Sequence, residues 1–167
     1  MSRGFVKEDD QEEVPMVPQR AFLPAGVPNF VTPAGMNQLL EERKALLNER
    51  DSIDIHNENE RRLAVNNVNA RLQLLNNRIA EAKVVSPEEQ SSGEVRFGAT
   101  VTLKVLQTGK MQTLQIVGVD EAAISKGKIS FISPLARALI NKKKGEKAVL
   151  KREREEILYE IAGITYA

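Results

Sequence analysis

With 167 residues, 41% of them apolar and 28% charged, the chain suits one medium domain or a small globular domain with an appendage. A formal charge of +1 gives no global basic field for counterion-releasing nucleic-acid binding, and the absence of cysteine excludes disulfides and thiolate metal sites. No apolar run reaches bilayer-spanning length and no charged-then-apolar leader opens the sequence, so the expectation is a soluble cytoplasmic protein away from membranes.

Residues 1–31 combine the acidic run from Glu8 to Glu13 with Pro15, Pro18, Pro24 and Pro28, and their few apolar residues follow no period. The expectation is an extended or disordered acidic, proline-rich arm. Its Phe5, Phe22, Leu23 and Phe30 are costly to leave in water, which keeps open a segment that docks on a surface.

Residues 32–85 carry the longest periodic signal. Thr32 can cap a helix, and Pro33 suits the first helical position because its missing amide hydrogen costs nothing there. Leu39, Leu46 and Ile53 recur every seven residues, with Leu40 and Leu47 widening the stripe and Arg43 and Arg50 interrupting it. Val65, Val68, Leu72, Leu75, Ile79 and Ala82 then alternate at three and four, the apolar seam of a coiled-coil helix. An antiparallel hairpin pairs Leu39 with Ile79, Leu46 with Leu72 and Ile53 with Val65. Its turn is predicted over His56–Arg61 and each helix at about 22 residues, or about 33 Å. The second helix is expected to end between Val84 and Ser86, and residues 86–93 read as a polar linker.

From Glu94 to the end the period becomes alternating. Val95 and Phe97, Val101 to Val105, Met111 to Val119, Lys128 to Ile132, Ala148 to Lys151 and Glu156 to Thr165 read as strand segments, with a hairpin turn at Thr108-Gly109-Lys110. Ser133 before Pro134 starts a short helix running to Ile140. The predicted fold is α+β: an N-terminal antiparallel α-helical coiled-coil hairpin, then an antiparallel β-sheet domain over residues 94–167, a five-strand meander with one covering helix.

A hairpin with an acidic tip followed by Lys128-Ile-Ser-Phe-Ile-Ser-Pro-Leu-Ala-Arg-Ala-Leu-Ile140 resembles the bacterial Gre family of transcript cleavage factors, as a divergent member with a short hairpin. Ser133 to Ile140 is the specific part of the match, and Val117-Gly118-Val119-Asp120-Glu121-Ala122 is similar to the strand and turn that precede it. The resemblance implies an FK506-binding-protein-like sheet domain seated at the rim of the RNA polymerase secondary channel, with Ser133, Pro134 and Arg137 near the binding face. It implies a hairpin inside the channel, in indirect contact with nascent RNA and DNA template, acting as a monomer. It further implies tip carboxylates that assist the polymerase's own cleavage of nascent RNA in backtracked complexes. The factor then has no cofactor of its own and shares magnesium at the polymerase active site. Isomerase activity is not implied, since 4% aromatic content gives little material for such a pocket.

The tip departs from the family pattern. One mapping of the acids, by alignment of the second helix, selects Asp51 and Asp54; the other, by folding symmetry, selects Asp54, Glu58 and Glu60, with Asp54 and Glu58 as candidate magnesium ligands. An acid on the shaft cannot reach a buried metal, which favours the second mapping. The first helix is also about two turns shorter than usual in the family, or about 11 Å. A channel-occupying regulator without cleavage therefore stays open, as does a coiled-coil interaction protein whose seam assembles between chains. His56, the one histidine, reads as a turn residue.

Overall fold

The computed structural model describes residues 15–87 and 93–166. Residues 1–14, with the acidic run and Phe5, and most of the predicted linker lie outside that description.

Thr32 is extended (φ −75°) and its hydroxyl accepts the Gly35 amide at 2.9 Å; Pro33 follows at the first helical position, and α1 runs Pro33–Asp51. Ser52 to Asn57 form the turn. Helix α2 begins at Glu58 because the Asn57 side chain accepts the amides of Asn59 (3.0 Å) and Glu60 (3.1 Å), while Glu58 and Glu60 suit the positive end of the helix dipole. The predicted turn over His56–Arg61 is thus corrected: Glu58 to Arg61 are already helical. The helices are 19 and 24 residues long rather than equal.

Helix α2 ends at Glu81, earlier than expected, because Ala82 turns extended and strand β2 (Ala82–Val84) takes over. Its partner is β1 (Asn29–Val31), paired in parallel with Asn29 opposite Ala82 and Val31 opposite Val84. The end of the predicted arm is therefore structured. Val31, Leu39, Leu46, Val68, Leu72 and Leu75 form the hairpin core, with Met36, Ile53, Ile79 and Ala82 packed around it. Across the hairpin, Arg71 meets both Glu49 carboxylate oxygens at 2.9 Å and Arg50 bonds the Asn69 side chain at 2.9 Å. These levels agree with the predicted pairing of Leu46 with Leu72.

The second sheet has five strands: β3 (Thr100–Val105), β4 (Met111–Val117), β5 (Lys128–Ser130), β6 (Lys147–Lys151) and β7 (Glu156–Thr165), in the order β5-β4-β3-β7-β6. Two expectations are corrected here. The sheet is mixed, since β5 runs parallel to β4, and it is no meander, since the last strand lies beside β3. The segment from Gly118 to Gly127 carries the chain back across the sheet end, so β5 starts in the same direction as β4. Val95 and Phe97 are not in a strand; Glu94 makes only an isolated bridge with Lys143. At the β3–β4 turn Gly109 sits at φ 72° and its amide closes on the Val105 carbonyl at 2.7 Å.

Helix α3 (Pro134–Leu139) packs Ala136 and Leu139, both fully buried, against Val95, Val101, Leu103, Ile116, Ala148 and Ile161. The described residues thus form a helical hairpin and a sheet domain, the α+β architecture expected from the sequence.

Candidate functional site

The tip acids are distributed along the hairpin rather than gathered at one level. Asp51 is the last residue of α1, Asp54 lies in the turn, and Glu58 and Glu60 stand in the first turn of α2; all four are exposed. The Glu49–Arg71 and Arg50–Asn69 bonds put the end of α1 level with Val68. Helix α2 continues ten residues beyond that level to Glu58, about 15 Å at 1.5 Å per residue. The turn residues climb this distance beside it, held by Ile53, which still packs on the hairpin core. Asp51 therefore stands on the shaft and Glu58 and Glu60 at the far end, with Asp54 between.

Two residues apart on a helix, Glu58 and Glu60 point about 200° away from each other and share no face. None of the four acids forms a salt bridge among the described residues, and no group of three His, Cys, Asp or Glu side chains there could hold a metal alone. What the tip offers is one or two free carboxylates for a site completed elsewhere. His56 is exposed in the turn.

At the other end of the molecule, Ser133 caps α3 by accepting the Ala136 amide at 3.3 Å, Pro134 follows it, and Pro134 and Arg137 face solvent. Burial of Ala136 and Leu139 on the opposite side of this helix fixes the direction in which Arg137 projects.

Sequence reasoning missed the joint between the two parts. Gly118 lies beneath the arm, where a Cβ would stand 2.5 Å from the Phe30 carbonyl oxygen. Phe30 packs its ring against Phe97 (5.9 Å) and Phe131 (5.6 Å), themselves 5.6 Å apart edge to face. Asp120 receives Arg20 at 3.1 Å and Arg78 at 3.5 Å. Glu121, buried at 7% exposure, accepts the Thr32 hydroxyl and faces Lys128 at 3.4 Å. Hydrogen bonding to Glu42, reinforced by the charge of Asp120, holds the Arg20 guanidinium above its ordinary pKa despite burial. The Gly118 to Glu121 run was visible as a motif, but its partners at Arg20, Thr32 and Arg78 lie 42 or more positions away.

The profile of the family described as "Transcription elongation factor, GreA/GreB, C-term" matches residues 89–166, which contain the sheet and α3. Over this domain the chain is similar to Gre factors. Similar curated proteins include the transcription elongation factor GreA of Hyphomonas neptunium, 39% identical over 99 residues, covering 59% of this chain and 63% of that protein. GreA of Desulfovibrio desulfuricans is 37% identical over 97 residues, covering 58% of this chain and 60% of its own length. The matched part thus spans about three-fifths of the relatives' length. Among solved structures, GreA factor homolog 1 of Thermus thermophilus aligns at TM-score 0.39 with 21% identity, covering 83% of this chain and 99% of that one. A GreA/GreB factor from Nitrosomonas europaea aligns at TM-score 0.42 with 18% identity, covering 84% of this chain and 99% of that one.

Proposed function

We propose that the chain is a transcription elongation factor that binds bacterial RNA polymerase at the rim of its secondary channel and inserts the hairpin, stimulating cleavage of nascent RNA in backtracked complexes. One observation carries this reading: a GreA/GreB domain is joined to a two-helix shaft that ends in exposed acids without ion-pair partners among the described residues. The sheet domain supplies the docking face, with Ser133 and Pro134 shaping the α3 corner and Arg137 projecting from it. The factor itself is not an enzyme in this account.

Magnesium takes hard oxygen ligands and usually keeps several waters, so one or two carboxylates can complete a site whose other ligands belong to the polymerase and the RNA. Asp54 and Glu58 are the side chains assigned to that task, with Glu60 beside them at the apex; Asp51 is too far down the shaft. When bound, the shared ion would polarise phosphate oxygen and lower the pKa of water. This chain's residues contribute placement: Asn57 fixes the first turn of α2, and Ile53 anchors the turn that presents Asp54.

Shaft length favours a second reading, a channel-occupying regulator without cleavage. Helix α2 has 24 residues, about 36 Å in all, and α1 supports only its lower part. One turn of shortfall is about 5.4 Å, which removes a carboxylate from a bond of about 2.1 Å while leaving the channel occupied.

A stalled, backtracked elongation complex supplied with this protein and magnesium separates the readings. Shortening of the RNA, lost in Glu58→Ala/Glu60→Ala and retained in Asp51→Ala, supports the first. Binding without shortening selects the second, and absence of binding removes both.

A further inference from the structure

Two rigid parts joined at a single contact can pivot; a second contact displaced along the axis fixes a direction. The first contact lies at the base of α1, where Thr32 bonds Glu121. The second is made by the arm. Arg20 places its two terminal nitrogens on the two carboxylate oxygens of Glu42, at 2.8 and 2.9 Å, and its remaining nitrogen on Asp120 at 3.1 Å. Glu42 lies ten residues along α1 from Thr32, about 15 Å at 1.5 Å per residue. Arg78 of α2 approaches the other Asp120 oxygen at 3.5 Å and donates to the carbonyl of Ala21 at 2.5 Å. At one point, therefore, the arm, both helices and the sheet-domain loop meet.

We propose that residues 18–31 form a strap that sets the direction in which the hairpin leaves the sheet domain, with Arg20 as its fastening. The lower end of the strap is secured by β1 on β2, by the Phe30–Phe97–Phe131 ring cluster, and by Asn29, buried at 2% exposure, which donates to the Arg78 carbonyl at 3.0 Å. The upper end depends on a planar fork reaching three oxygens on two elements, a task a lysine ammonium cannot reproduce. The Arg20 and Asp120 side chains are only 17% and 9% exposed, so water and salt screen their contact less than they screen a surface pair. This assignment concerns the free protein and holds whatever the hairpin enters.

The test uses the full chain, which contains no cysteine, with spin labels on Arg61→Cys in the hairpin and Lys151→Cys in the sheet domain, both exposed and outside the strap. Pulsed dipolar spectroscopy should give one narrow distance distribution. Arg20→Ala should at least double its width, and Arg20→Lys should fall between the two. An unchanged width in Arg20→Ala, with circular dichroism intact, overturns the strap. Should Arg20→Ala lose helical signal, Glu42→Gln supplies the reading, since it alters only an exposed side chain: broadening supports the strap and an unchanged width overturns it.

Discussion

Thr32 is shared between the two parts of the molecule: its hydroxyl donates to the buried Glu121 carboxylate of the sheet domain while its oxygen accepts the Gly35 amide that opens α1. Thr32→Val keeps the shape and removes both bonds. Losing a helix cap costs about 1 kcal/mol and depriving a buried acceptor of its donor about 1–3 kcal/mol, so the expected loss is about 2–4 kcal/mol. Thr32→Ser should stay within about 1 kcal/mol of the parent. Urea denaturation followed by circular dichroism measures both.

Gly35 offers a test by sign. Replacing a helical glycine by alanine ordinarily gains about 1 kcal/mol. Here the new Cβ collides with the Glu121 carboxylate, which Thr32 and Lys128 hold in place. Gly35→Ala is therefore expected to destabilise, and the loss should vanish when Glu121→Ala opens the space. A double-mutant cycle reads the coupling directly.

These contacts also show which parts of the chain were readable in advance. Thr32-Pro33 and Ser133-Pro134 announced helix starts because capping involves residues only three apart, and the three-and-four spacing of Val65 to Ala82 announced a packed helix face. Strand β1 had no such signal: Asn29-Phe30-Val31 is three residues long and exists because β2, 53 positions later, lies beside it. The parallel β4–β5 pair was hidden for a similar reason, since alternation reveals a strand but not its neighbour's direction. At the tip, Asn57 capping Glu60 ended the turn earlier than the apolar pairing implied. Acidity there was legible from composition, whereas the height of each acid on the shaft required the Glu49–Arg71 and Arg50–Asn69 levels.

Tyr166 couples stability to alkaline pH. Its hydroxyl donates to the Glu94 carbonyl and accepts the Arg96 amide at 2.9 Å. Burial raises its pKa above the ordinary 10.0, opposed by the hydrogen bond from Arg96. The fold thus favours the protonated phenol: this contribution is complete below pH 10 and is lost as pH rises through the raised value. Stability measured between pH 8 and pH 11 should fall at the alkaline end in the parent, and Tyr166→Phe should flatten that component.

Asn57 positions the apex without bearing charge. Asn57→Ala should cost about 1 kcal/mol and fray the first turn of α2. Hydrogen exchange at the Asn59 and Glu60 amides, which Asn57 accepts, should accelerate relative to the buried middle of α2. The proposed cleavage role predicts that RNA shortening in backtracked complexes falls by more than the modest loss of stability explains, because that role depends on where the tip carboxylates stand.

The proposal that the hairpin tip enters the polymerase is tested most directly by a photo-crosslinking residue at Asn59, between the two apex acids, in a backtracked elongation complex, with the same residue at Lys44 on α1 as the shaft control. The account predicts crosslinks from position 59 to the RNA 3′ end or to the polymerase active site, and none to those targets from position 44. Crosslinks to those targets from neither position, in complexes that demonstrably contain the factor, would contradict it.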